Sequence, residues 1–327
     1  MKKAIIGLIV AAICIYLSIR GVVYEKVLEN VQNVNARYFI PAIILFISGT
    51  ILRSVRLGIM LSPLEKISQK LLFPITCVGF LAITLIPMRA GELVRPYLIK
   101  TKSQIPFTSS LGTIFVERVL DLSTLVFLFL FAMLASDLPK WVIYSGYTSL
   151  LIIIAIICLM LLFVGKTDSF INLFRPLLKR FPEKIDTKIV ELVRNFVSGL
   201  KILSSLKNIL YIVFLTLLIW VFAALSIYSL YFSLNLNLPF ISSFVVLFIT
   251  MIGISLPTAP GFIGNWQYGC ILALAIYGIN KNEALAFSLV YYLCGMIMTI
   301  LLGLVFLPST SISIKNIRKE LAVIRGT

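Results

Sequence analysis

The sequence predicts an all-α polytopic membrane protein, with about six spanning helices and two re-entrant broken-helix hairpins in two inverted repeats. Three observations carry this. Of the 327 residues, 60% are hydrophobic, and the mean hydropathy is +1.05, more apolar than a soluble domain. The net charge of +16 comes from cations that flank apolar runs. They read as topology signals and argue against nucleic acid as a partner. Two apolar segments, 71–104 and 240–280, are each interrupted near the centre by Pro and Gly, a pattern that marks a binding site near the bilayer midplane.

Taken in order, Lys2 and Lys3 precede an apolar run over 4–19. Ser-Ile-Arg-Gly follows without a small-residue cleavage site, so a retained anchor helix is expected rather than a signal peptide. Residues 20–37 read as a mixed-charge loop. A second helix covers 38–60 and carries Arg53 and Arg56 one turn apart near its end. Snorkelling at the interface is the preferred reading of that pair over substrate contact. After the first broken segment, a helix over 109–136 holds Glu117, Arg118 and Asp121 near its start. An uncharged run over 141–164 is long enough to span. The polar stretch 165–208 holds nine Lys/Arg against four Asp/Glu. Its Ile185, Ile189, Leu192, Val193, Phe196, Leu200 and Leu203 recur at helical spacing, which predicts an amphipathic helix on anionic inner-leaflet lipid. Spans over 209–234 and 284–307 flank the second broken segment.

The basic stretches are Lys2/Lys3, 61–70, 165–208 and the tail 308–327. They are expected to be cytoplasmic, and the cation-poor loops outside. This puts both termini on the cytoplasmic side of the plasma membrane. It also requires 71–104 to enter and leave from the cytoplasm, and 240–280 from outside. Residues 1–137 and 138–307 then become two inverted repeats, and their hairpin tips share Pro-x-x-x-Gly at Pro87–Gly91 and Pro257–Gly261.

Chemistry concentrates at the two breaks. Pro87 and Pro257 lack an N–H and end helices. Gly91 and Gly261 let the backbone turn and approach a ligand. The returning half-helices are expected to begin near Gly91 and Gly264, with free N–H groups that suit a phosphate. Arg89, Glu92, Arg95, Glu117, Arg118 and Asp121 make three cations and three anions, a neutral set that persists in a membrane only if it pairs or faces water. One reading is an ion-pair network tying the hairpin to the next helix. The other is that one or more arginines open to a lipid phosphate. There is no His, and the five cysteines sit in apolar runs without CxxC spacing. No metal, cofactor or catalytic residue is assigned.

Arg89-Ala-Gly-Glu92-Leu-Val-Arg95, then Glu117-Arg118-Val-Leu-Asp121, then Pro260-Gly261-Phe-Ile-Gly264 resemble the flippase-like membrane family that includes the membrane half of bacterial lysylphosphatidylglycerol synthases. The resemblance covers nearly the whole chain. It implies a polytopic helical protein that moves or handles a phospholipid or a lipid-linked sugar. The third motif departs from the family pattern, Pro-Gly-Gly-Ile-Gly with a Glu three residues on. Phe262 stands at the middle Gly and Gln267 at the Glu, so a proton or cation role for that carboxylate is not carried over. The soluble aminoacyl-transfer half is not expected, and neither is lysyl transfer. Two other functions compete with translocation. One is a membrane-embedded transferase using a polyprenyl-phosphate sugar, with Glu92, Glu117 and Asp121 as acid or base. The other is a non-catalytic partner of a cell-envelope enzyme, docking through 165–208.

Overall fold

The computed structural model describes residues 2–165, 167–168, 171, 183–256 and 259–310. The tail 311–327 and Pro257 lie outside them, as does most of 166–182. Among the described residues there are twelve α-helices and no strand. They are α1 (Lys2–Ile19), α2 (Tyr24–Gln32), α3 (Phe39–Leu61), α4 (Gln69–Leu85), α5 (Val94–Lys102), α6 (Phe107–Leu134), α7 (Lys140–Gly165), α8 (Glu183–Ser198), α9 (Leu206–Ser233), α10 (Ser242–Ser255), α11 (Asn265–Ala275) and α12 (Lys281–Phe306). This is an all-α polytopic membrane protein.

Among the described residues, four helices are long and apolar enough to cross a membrane: α3 with the turn before it, α7, α9 and α12. Part of α1 and α2, bent by 87°, would be a fifth if the pair is one span. The 28-residue α6 is as long, but Glu117, Arg118 and Asp121 fall in every 18-residue window of it. The expected count of about six adds α1 and α6 to the four.

The mixed-charge loop over 20–37 contains α2. Val27 is buried there, and α2 packs against α12. The corner is fixed by the start of α12. Lys281 Nζ donates to the carbonyls of Leu17 (2.8 Å) and Arg20 (2.6 Å), and Asn282 Oδ1 accepts from the Val23 N–H at 2.9 Å. These contacts satisfy carbonyls at the end of α1 that have no intrahelical partner.

Both broken segments fold as hairpins. In the first, α4 descends, a 3₁₀ run over Pro87–Leu93 turns the chain, and α5 returns against α4. Gly91 is pressed on α4, and a Cβ there would overlap the Ala82 carbonyl. Gly91→Ala is therefore expected to cost about 1–3 kcal/mol by overpacking. A fall in melting temperature checks this, and unchanged melting would mean that the tip is not seated there. In the second hairpin, α10 and α11 pack side by side across a turn at Pro260–Phe262. The two turns touch each other, so the breaks meet inside the bundle.

The amphipathic segment is helical as α8, but much of its stripe meets protein. Gly112 of α6 lies on the Phe196 carbonyl, and Gly199 lies on the Ser109 carbonyl. Thr113 Oγ1 donates to the Gly199 carbonyl at 3.1 Å. Phe196, Leu200 and Leu203 join a core with Met60, Val116 and Ile212. The expectation that Phe196 and Leu203 enter the headgroup boundary is corrected: both pack partly buried against this core, where two glycines let α6 and α8 approach and Phe196 meets Phe115 of α6. Leu192 remains exposed.

Candidate functional site

Glu117 and Asp121 lie one helical turn apart on α6, and three arginines from three helices converge on them. Glu117 is fully buried. Arg95 of α5 grips it with both terminal nitrogens, Nη1 to Oε1 at 2.9 Å and Nη2 to Oε2 at 3.0 Å. Arg118 Nη2 reaches Oε1 at 2.8 Å, and Arg56 Nη2 reaches it at 3.3 Å. Arg56 also forks onto Asp121, at 2.6 Å to Oδ1 and 3.2 Å to Oδ2, and donates to Thr216 Oγ1 of α9 at 2.9 Å. Trp220 Nε1 donates to Asp121 Oδ1 at 3.3 Å. Fork-to-carboxylate geometry of this kind is the strong form of the ion pair.

Local sequence makes the convergence possible. A Cβ at Gly79 would overlap the stem of Arg95, so Gly79 is the gap through which Arg95 passes α4 to reach α6. The Arg95 guanidinium carbon lies 5.4 Å from the centre of the Phe80 ring, and that of Arg53 lies 5.7 Å from the same centre. Both are within cation–π range.

Beside the network lies a cavity of about 520 Å³, bounded by both hairpins together with α3, α6, α9 and α12. One wall is polar, with Arg53, Glu92, Arg118, Asp121 and Trp220. The other is apolar, with Ile83, Leu125, Met251, Ile254, Met296 and Leu302 among its members. Arg56 and Arg95 are spent on carboxylates and do not line it. Arg53 does line it, and among the described residues no hydrogen bond or ion pair holds its guanidinium. Trp266 also lines the cavity, and its indole N–H is buried without a partner among the described residues.

The second turn is built differently from the first. Phe262 N–H bonds back to the Ala259 carbonyl at 3.1 Å, with Pro260 second in the turn and Gly261 third at φ 74°, ψ 4°. That is the sequence and conformation of a type II turn. Tyr292 Oη donates to the Gly261 carbonyl at 2.9 Å. Phe262 follows at φ 61°, a left-handed conformation that costs a non-glycine residue about 1–2 kcal/mol. Gly264, at φ 88°, sits under α1, where a Cβ would come within 2.6 Å of the Ala11 carbonyl. Gln267 is buried, and its Oε1 accepts from the Gly264 N–H at 2.8 Å, capping α11.

The residues singled out from sequence divide as follows. Glu92, Arg118 and Asp121 stand on the cavity wall. Arg95 and Glu117 form the network behind it. Gly91, Pro260, Gly261, Gly264 and Gln267 shape the turns. Arg89 belongs to the first turn, and its side chain lies outside the description. Pro257 lies outside the described residues.

Three expectations are corrected. Arg56 does not snorkel; it is fully buried, because carboxylates on α6 and a hydroxyl on α9 compensate its charge. The cluster is not balanced. Among the described residues, Arg53, Arg56, Arg95 and Arg118 face Glu92, Glu117 and Asp121, four cations against three anions. The half-helix N–H groups are not all free. Val94 N–H is taken by the Gly91 carbonyl, and Gly264 N–H by Gln267. Sequence reasoning missed Trp266, Thr216 and Trp220, and it named Arg53 with snorkelling preferred over substrate contact. The Arg53–Arg56 spacing was the one signal available.

The family model described as the lysylphosphatidylglycerol synthase TM region matches residues 4–303. Two UPF0104 membrane proteins of Methanocaldococcus jannaschii are similar to the chain. One is 29% identical over 240 residues, covering 72% of this chain and 96% of that protein. The other is 25% identical over 319 residues, covering 93% of this chain and 94% of that protein. A UPF0104 membrane protein of Methanothermobacter thermautotrophicus is 23% identical over 258 residues, covering 74% of this chain and 76% of that protein. No solved structure matches.

Proposed function

Because the chain belongs to the lysylphosphatidylglycerol synthase TM-region family, we propose that this multi-pass membrane protein translocates an anionic lipid, as a flippase or scramblase, with the lipid phosphate held between the two hairpins. One observation carries the reading. A cavity with a polar wall and an apolar wall lies where the two breaks meet, and its Arg53 is bound to no carboxylate among the described residues. A lipid presents the same two halves, an anionic head and an apolar chain. An arginine without a partner in such a site is stabilised by an anion. Arg118, on the same wall, keeps part of its side chain exposed and is the second phosphate contact.

The transferase reading draws less support. Glu117, one of its candidate acids, is fully buried and held by three arginines, which leaves it no access to a leaving group. The two-repeat organisation, 1–137 and 138–307 with a tail at 308–327, belongs to the same proposal. So do the plasma-membrane location and the cytoplasmic termini. A hairpin followed by a long helix in each half supports the repeats. The cation distribution supports the orientation. Ser103→Cys, Arg180→Cys and Glu320→Cys, each on a background without the native cysteines, should resist impermeant thiol reagents added outside. Outside labelling of the first would overturn the re-entrant placement of 71–104.

The deciding experiment is reconstitution of the purified chain in liposomes with three labelled lipids: a phosphatidylglycerol, a polyprenyl-phosphate sugar and the zwitterionic phosphatidylcholine. Movement of one anionic lipid above protein-free vesicles, with phosphatidylcholine slower, is expected. The two anionic arms tell a phospholipid from a lipid-linked sugar. No movement of either anionic lipid by a folded protein sinks the proposal.

A further inference from the structure

Phe262 is the described non-glycine residue held in the left-handed region within a hairpin tip, at φ 61°. Strain retained at one position points to a role for that side chain. The immediate geometry gives the role. The type II turn at Ala259–Phe262 is closed by its own hydrogen bond and tied to α12 through Tyr292, so its last residue, Phe262, has little freedom. Its side chain lines the cavity, with Met251, Trp266, Tyr292 and Met296 of the same half. Its turn touches both α4 and the first turn. The ring therefore stands at the junction of the two tips, on the side of the cavity contributed by the second hairpin. Arg53 and Glu92 reach the cavity from α3 and the first hairpin.

We propose that Phe262 is the specificity-determining residue of this cavity, its ring limiting the size of the polar group that fits between the tips beside Arg53. The proposal rests on the anionic-lipid reading above and names its substrate class: anionic lipids with small head groups. A head group that carries a sugar or an inositol ring meets the phenyl ring before its phosphate reaches the arginine, whereas the short glycerol head of a phosphatidylglycerol does not. Discrimination by one wall of a pocket is worth about tenfold to a hundredfold.

The test uses the full chain in detergent with two diacyl lipids of identical chains, phosphatidic acid and phosphatidylinositol, each titrated against a fluorescent phosphatidic acid. The wild-type chain should bind phosphatidic acid the more tightly. Phe262→Ala should move the affinity ratio about tenfold toward phosphatidylinositol, and Phe262→Trp should move it the other way. Phe262→Gly should shift the ratio as alanine does. It should also melt above the alanine variant, since glycine accepts the turn without strain, which keeps the test readable if alanine unfolds. A ratio unmoved in both the alanine and the glycine variants overturns the role of Phe262 and leaves the anionic-lipid reading standing. A folded wild-type chain that binds neither lipid overturns that reading and this inference together.

Discussion

Glu117→Ala should fail to accumulate as folded protein, with a loss of about 3–5 kcal/mol, a large share of the roughly 5–15 kcal/mol that holds a folded chain together. Removing the carboxylate strands a buried Arg95 whose terminal nitrogens, among the described residues, make their hydrogen bonds to Glu117 alone. Arg56 and Arg118 lose one of their two anions and keep Asp121. The cost is the desolvated charge left behind rather than the bond removed. Taking away both sides should therefore be milder. Glu117→Gln with Arg95→Gln should recover most of the melting temperature lost by Glu117→Ala. Thermal unfolding in detergent decides it. If the double variant melts no higher than the single one, Arg95 is not the group that Glu117 compensates.

Arg53→Ala should have the opposite profile. The protein should melt close to the wild type, because no ion pair among the described residues is broken. Transport should fall roughly thirtyfold, the equivalent of about 2 kcal/mol for a lost charge-assisted hydrogen bond. Arg53→Lys should retain part of the rate, since it keeps the charge and loses the planar fork. Transport at the wild-type rate in Arg53→Ala would remove this arginine from the substrate path. A collapse in melting temperature would instead assign it to the scaffold.

Most of the fold was legible because spans are written in runs of apolar residues, and a Pro or Gly break inside such a run has few other meanings. The helices over 141–164 and 284–307 fall within three residues of α7 and α12. The short α2 was not legible. Nine residues of mixed charge carry little signal, and Val27 is buried only because α12 arrives from the other end of the chain. Arg56 shows the same limit for the site. An arginine at the end of an apolar run is compatible with snorkelling. What decides otherwise is a carboxylate 65 residues away and a hydroxyl 160 residues away. The family-pattern carboxylate missing at Gln267 proved informative in another way, since the amide caps the returning helix. A Gly followed three residues later by Gln was a capping signal already present in the sequence.

The position of the three charges on α6 bears on how the chain enters a membrane during synthesis. Each charge near the centre of an isolated helix opposes insertion by roughly 3 kcal/mol, so α6 is the segment a translocon would handle worst alone. Its partners are distributed to meet it. Arg56 on α3 and Arg95 on α5 are both made before Glu117 and Asp121, so the cations are waiting when the acidic helix leaves the ribosome. Thr216 and Trp220 follow about a hundred residues later and add neutral hydrogen bonds. The order of synthesis thus places neutralisation first and polar refinement last, and a ribosome stalled before α6 would leave Arg56 and Arg95 without the two carboxylates that pair them.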